Sequence, residues 1–237
     1  DVALSNGRGA FSDSLAEYAI AAALHFNKCF KRCEQNRLAK KWDKFVMPTI
    51  AGKTMGFVGY GHIGQTTAKL AAPLGLRLIG LRRHPNKRER SAANAPTLAA
   101  TYGMDDAATF YSQCDFVVCS LPLTDESKEI INADSFEAMK ASTVFISLGR
   151  GAVVDEAALH KALTTGQIAG AACDVFATEP LPESSPLWEC DNLLMTAHNA
   201  DLTEDYFPLA VKTWRENLEA FKKGGPLATP VDKGAGY

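Results

Sequence analysis

Short, uninterrupted apolar runs alternate with stretches of helical periodicity along most of this chain. The runs are Met55–Gly59, Leu76–Leu81, Phe116–Ser120, Val144–Leu148, Ile168–Val175 and Leu193–Thr196. Their apolar residues are consecutive rather than alternating, as in strands covered on both faces. Helical segments lie between them, including His62–Ala72, Ala133–Lys140 and Asp155–Thr164. This order predicts an α/β fold, a Rossmann-like doubly wound parallel sheet with crossover helices. A long helix precedes the array. Ser14 and Glu17 stand three apart, which predicts a capping-box start, and apolar positions continue through Leu15, Ala19, Leu24 and Phe30. It runs into a polar, basic stretch from Lys31 to Lys44 that contains Trp42. A last helix is predicted from Leu202 to Lys223, stopped by Gly224-Gly225-Pro226. No internal repeat or low-complexity segment interrupts the pattern.

Composition narrows the function classes. The 237 residues suit one large or two small domains. With 25 Lys and Arg against 27 Asp and Glu, the net charge of -2 lacks the basic excess of a dedicated nucleic-acid binder. The longest apolar run, Tyr18 to Leu24, falls well short of the ~18 residues a membrane helix needs. It follows acidic Asp13 and Glu17 rather than a basic leader, unlike a signal peptide. Six cysteines are scattered without a CxxC pair, so reduced thiols and a cytoplasmic location are expected. Cys29 and Cys33 are four apart with no nearby His, and read as ordinary helix residues rather than a metal site. The chain opens with Asp1 rather than Met, as a processed or fragmentary polypeptide would.

Gly59-Tyr60-Gly61-His62-Ile63-Gly64 fits G-x-G-x-x-G between a predicted strand and a predicted helix. Gly59 permits the tight turn, Gly61 lets backbone approach a pyrophosphate, and Gly64 lets helix pack on strand. The helix that follows, with His62 and Ile63 in its first turn, offers N–H groups and a positive dipole end to phosphates. A methyltransferase could use a related turn, so the end of the next strand matters. There, eighteen residues after Gly64, an NAD-binding enzyme would place Asp or Glu for the ribose 2′-hydroxyl. This chain has Arg82-Arg83-His84, with Lys87, Arg88 and Arg90 behind them. Guanidinium groups would bind a 2′-phosphate, which points to NADP(H) as the preferred cofactor with NAD(H) possible. Arg90 reads as part of a solvated basic loop, and Lys87 can be read the same way.

Ligands of such sheets bind beyond the carboxyl ends of the strands. Arg150 follows Val144–Leu148, Asp174 and Glu179 follow Ile168–Ala172, and His198 follows Leu193–Thr196. This set suits hydride transfer to a 2-oxo acid. Arg would grip the substrate carboxylate, His would donate the proton to the carbonyl oxygen, and a carboxylate would favour the imidazolium.

On these residues the chain resembles the D-isomer-specific 2-hydroxyacid dehydrogenases, which include glyoxylate/hydroxypyruvate reductases and phosphoglycerate dehydrogenases. The matching segments are 52–64, Ser120-Leu121-Pro122-Leu123-Thr124, 147–159, 172–180, Ser185-Pro186-Leu187-Trp188, Thr196-Ala197-His198 and the closing 231–237. The resemblance implies catalytic roles for Arg150, Glu179 and His198. It places Asp174 at the nicotinamide side of the cofactor and has Leu121, Pro122, Ser127, Leu148, Gly149 and Ala200 line the cofactor's path. It also implies a homodimer, with the first helix and the Trp42 arm against the partner; no metal is expected, and charge balance and run length leave no nucleic acid or membrane partner expected. Residues 1–207 would then form the dinucleotide-binding domain and 208–237 a C-terminal remnant of the substrate domain.

Several positions depart from that pattern. Ala197 stands where the family has Pro, Asn199-Ala200-Asp201 where a Gly soon follows, and Cys173 where Leu is usual. The family's first hundred or so residues, which build most of the substrate lobe, are expected to be absent. The leading expectation is therefore an NADPH-preferring reductase of a small 2-oxo acid, giving the D-2-hydroxy acid. In this form it should bind cofactor but turn over poorly until that lobe is restored. A nucleotide-sensing, corepressor-like binding protein and an inactive cofactor-binding fragment are the alternatives. Formate dehydrogenases pair this His with Gln, and Glu179 argues against them.

Overall fold

A computed structural model describes residues 2–85 and 95–236. Seven parallel strands form one sheet in the order β3-β2-β1-β4-β5-β6-β7. They are β1 (Thr54–Val58), β2 (Arg77–Leu81), β3 (Ala100–Tyr102), β4 (Phe116–Cys119), β5 (Val144–Ser147), β6 (Gly170–Cys173) and β7 (Leu193–Met195). The helices are α1 (Ser12–Asn27), α2 (Phe30–Leu38), α3 (His62–Ala71), α4 (Ala107–Gln113), α5 (Ala133–Glu137), α6 (Glu156–Thr164) and α7 (Tyr206–Lys222). The order reverses direction between β1 and β4, so the crevice above their carboxyl ends is where such sheets bind ligands.

The continuous apolar runs are explained by two cores. Phe116, Val118, Val144, Ile146 and Ala172 face one side of the sheet, with Met55 and Phe57, under α1 and α3. Their neighbours Val117, Cys119, Phe145, Ala171 and Cys173 face the other, under α4, α5 and α6. Alternation sends successive side chains to opposite faces, and both faces are dry. Gly56 on β1 is small because Phe110 and Cys114 occupy its space: a Cβ there would lie 2.3 Å from the Cys114 Sγ. On α1, Ser12, Ala16, Ala19, Ala23 and Asn27 form a buried stripe of small side chains, which lets the helix lie close over α3 and the sheet.

Four expectations need correction. Ser14 does not cap α1, because the helix starts two residues earlier with no side-chain cap. Its hydroxyl instead donates to the carbonyl of Ala200. The first helix does not run on through Phe30 either: Cys29 adopts a left-handed φ of 53° and divides α1 from α2. The strand expected over Ile168–Val175 is shorter, pairing only as β6, and the last helix begins at Tyr206 rather than Leu202. Three elements were not anticipated: α2 within the polar, basic stretch, the edge strand β3 and helix α4.

The chain's ends meet. Asn6 donates to the Thr229 carbonyl at 3.1 Å and Val231 to the Leu4 carbonyl at 2.9 Å. Asn217, the one buried residue of α7, holds Thr229 through hydrogen bonds to its N–H and hydroxyl. Phe207, Val211, Trp214 and Phe221 on the same helix are exposed. All six cysteines are free thiols. Among the described residues, no helix is long and apolar enough to cross a membrane.

Candidate active site

The glycine turn joins β1 to α3 as its spacing predicts. Gly59 has a φ of 81°, a left-handed conformation that glycine takes without strain, and a Cβ there would meet the Leu121 side chain at 2.6 Å. A Cβ on Gly64 would lie 3.0 Å from the Gly59 carbonyl oxygen, so the turn and helix are closely packed. Gly61 differs: it is exposed, and nothing lies within 4 Å of a Cβ placed on it. That space, at the N-terminus of α3, is the cradle a pyrophosphate would fill. His62 is half-buried at the first helical position, and Gly9 packs against its ring. Burial holds the His62 imidazole below its ordinary value, with the charges of Arg8 and Lys69 adding to the effect. Ile63, half-buried, packs against the α1/α3 core.

Arg82 directly follows β2, and its N–H donates to the Tyr102 carbonyl at 2.9 Å, anchoring it beside the edge strand. Its side chain is half-buried, while Arg83 is exposed and pairs with Glu126 at 2.5 Å. The two loops so joined follow β2 and β4, the strands on either side of β1. Lys87, Arg88 and Arg90 lie outside the described residues.

On the β4 side, Leu121 packs above Gly59 and Pro122 is exposed. The Ser127 hydroxyl donates to the Pro122 carbonyl at 2.6 Å and accepts from the Thr124 N–H at 2.7 Å. Ser127 thus closes its own loop and is only 6% exposed. After β5, Leu148 and Gly149 are buried. A Cβ on Gly149 would lie 2.3 Å from the Leu121 carbonyl oxygen, and one on Gly151 only 1.8 Å from the Phe176 carbonyl carbon. These glycines let neighbouring strand ends close together and push Arg150, between them, outward. Arg150 is exposed, and its guanidinium donates to the Gly149 carbonyl at 2.9 Å.

The expected acid–base pair is in contact. His198 Nδ1 lies 2.7 Å from Glu179 Oε2, while Glu179 Oε1 accepts from the Phe176 N–H at 2.9 Å. The Glu179 carboxyl lies below the ordinary carboxylate range. Burial opposes this, but hydrogen bonds from His198 and Phe176 and the charges of His198 and Arg150 prevail. With Nδ1 taken, the His198 Nε2 is the nitrogen left to meet a substrate. Asp174, expected at the nicotinamide side, is 1% exposed. Its carboxylate accepts from the Thr196 hydroxyl and from the N–H groups of Asn199 and Ala200, so it anchors the loop that carries His198. Among the described residues, no group of three or more His, Cys, Asp or Glu could hold a metal ion.

Sequence reasoning missed Glu126, Tyr18 and the part played by Thr196. Each acts through a contact distant in sequence, and the only signal was a polar hydroxyl, Tyr18, inside an alanine-rich helix.

The D-isomer specific 2-hydroxyacid dehydrogenase NAD binding domain, as a protein-family model, matches residues 20–200. A glyoxylate reductase from Korarchaeum cryptofilum is 30% identical over 230 residues, covering 93% of this chain and 66% of that enzyme. The chain thus spans about two thirds of that relative's length. A D-isomer specific 2-hydroxyacid dehydrogenase from Xanthobacter autotrophicus, solved with NADPH and MES, superposes with a TM-score of 0.88 at 30% identity, covering 100% of this chain and 95% of that one. An NADPH-dependent glyoxylate/hydroxypyruvate reductase from Sinorhizobium meliloti, solved with NADP and sulfate, gives 0.87 at 29% identity, covering 100% and 74%.

Proposed function

Since the chain belongs to the D-isomer specific 2-hydroxyacid dehydrogenases, we propose that it reduces a small 2-oxo acid of the glyoxylate or hydroxypyruvate type to the D-2-hydroxy acid, with NADPH preferred over NADH. The observation that carries this reading is the His198–Glu179 contact at 2.7 Å, with the charge of Arg150 reaching the same carboxyl. Relatives named as glyoxylate reductases and a structural neighbour holding NADP support the substrate and cofactor classes.

In this reading the open cradle at Gly61 and the N-terminus of α3 hold the pyrophosphate, and Arg82 takes the 2′-phosphate, with Arg83 available once it leaves Glu126. Bound NADPH supplies the hydride. The protein's own residues do the rest. Arg150 swings from the Gly149 carbonyl to grip the substrate carboxylate with its planar fork of donors. His198 holds a proton on Nε2 and passes it to the carbonyl oxygen as the oxygen gains charge. Glu179 engages Nδ1 and so fixes the ring's orientation for that transfer. Ser127, Leu121 and Gly149 shape the wall of the cofactor path. Residues 1–207 make up the cofactor domain and 208–237 belong with the substrate lobe. The exposed Trp42, at 92%, and Val46, at 88%, lie in an arm suited to a homodimer contact.

Steady-state reduction of glyoxylate, hydroxypyruvate and pyruvate with NADPH tests the reading. Turnover of at least one of them is expected, and Arg150→Lys should raise the substrate KM or lower kcat while NADPH affinity persists. A protein that binds NADPH yet reduces none of the three would instead be a nucleotide-sensing module.

A further inference from the structure

His198 stands on a loop whose backbone needs outside support. Its φ of 51° lies in the left-handed region, which a residue with a side chain keeps only where the surroundings over-determine it. The His198 N–H donates to the Asp174 carbonyl at 2.8 Å, and the Asp174 carboxylate accepts from the next two N–H groups, those of Asn199 at 3.1 Å and Ala200 at 3.2 Å. Thr196 Oγ1 lies 2.6 Å from the same carboxylate and 3.0 Å from the Tyr18 hydroxyl. A threonine has a single hydroxyl proton to give. At the shorter distance it goes to Asp174, so Tyr18 donates to Thr196. Burial pushes the Tyr18 phenol up to about 12, so it keeps the proton it donates. Ser14, one turn earlier on the same face of α1, donates to the Ala200 carbonyl. Helix α1 therefore holds both ends of the loop, and the hydroxyl relay Tyr18–Thr196–Asp174 runs from that helix to the base of His198.

We propose that Thr196 and Tyr18 are positioning residues for His198: through Asp174 they fix the loop so that the imidazole stays on Glu179 with Nε2 turned to the substrate. This rests on the proposed role of His198 as proton donor, and the test has one arm that does not. The variants are Thr196→Val, which keeps the shape and removes the hydroxyl, Thr196→Ser, which restores it, and Tyr18→Phe. In the first arm, amide hydrogen exchange of the chain is measured. Asn199 and Ala200 should exchange about tenfold faster in Thr196→Val, the scale of one lost hydrogen bond, and return towards the parent in Thr196→Ser. Tyr18→Phe should fall between, and β5 amides should stay unchanged, which shows that the fold is intact. In the second arm, hydroxypyruvate reduction should lose about tenfold in kcat in Thr196→Val with NADPH affinity held within about twofold, and recover in Thr196→Ser. Unchanged exchange in Thr196→Val overturns the proposal, as does a Thr196→Ser variant as impaired as Thr196→Val, since the methyl and not the hydroxyl would then matter. A parent that reduces no 2-oxo acid would retire the proposed function, and the exchange arm would still decide whether the relay holds the loop.

Discussion

At the residue scale the chemistry rests on charge placed by backbone turns. Arg82 sits where an acid would accept hydrogen bonds from the ribose of NADH, and the β2–β3 pairing at its own N–H leaves little freedom in where it stands. Arg82→Ala should cost about 1.5–3 kcal/mol of NADPH binding, the scale of a charged hydrogen bond, and little for NADH. Titrations of both cofactors check this, and equal affinities in the parent would remove the basis for a phosphate site. Glu179 makes a prediction about pH. Its carboxyl is held low in the folded chain, so its stabilising effect is present above the ordinary carboxylate value and fades as pH falls through the depressed one. The pair is more than a third exposed, so solvent screens it and the effect is small. Urea midpoints of the parent and Glu179→Gln should therefore differ near neutrality and converge in acid. A difference that stays constant with pH would mean that the contact does not shift the carboxyl.

At the element scale, two glycines near the strand ends separate packing from function. Gly151 has no room: its Cβ would enter the Phe176 backbone, so Gly151→Ala should cost about 3 kcal/mol in denaturant titration, the upper end of ordinary overpacking. Gly61 has φ -77°, ψ -162°, extended backbone that any residue adopts, and open space beyond it. Gly61→Ala should leave stability within about 0.5 kcal/mol and still weaken both NADPH and NADH, because the methyl enters the phosphate cradle. Unchanged cofactor affinity would place the pyrophosphate elsewhere. The glycine turn, the six longer apolar runs and the residues at their carboxyl ends were legible because period and spacing are local properties. What was not legible depended on tertiary contact. β3 is three half-buried residues with no distinguishing pattern, and it forms because β2 offers an open edge. Cys29 turns left-handed without the Gly or Asn that would mark the break in the first helix. The apparent capping pair Ser14 and Glu17 misled because Ser14 spends its hydroxyl on a carbonyl 186 residues away.

At the scale of the whole molecule, the sheet brings Arg150, Glu179 and His198 from three separate strand ends to one rim, and α1 braces the last of them from below. The family resemblance was legible because the motifs fall at those rims; the relay from Tyr18 was not, since it joins residues 178 positions apart. In the proposed reaction this rim delivers a proton from His198 to a 2-oxo acid beside bound NADPH. The most direct measurement is the rate of NADPH oxidation with hydroxypyruvate at saturating cofactor, parent against His198→Ala, alongside NADPH binding by both. A fall of ~10²–10⁴ in that rate is expected, with cofactor affinity preserved. Near-equal rates in the two proteins would contradict it.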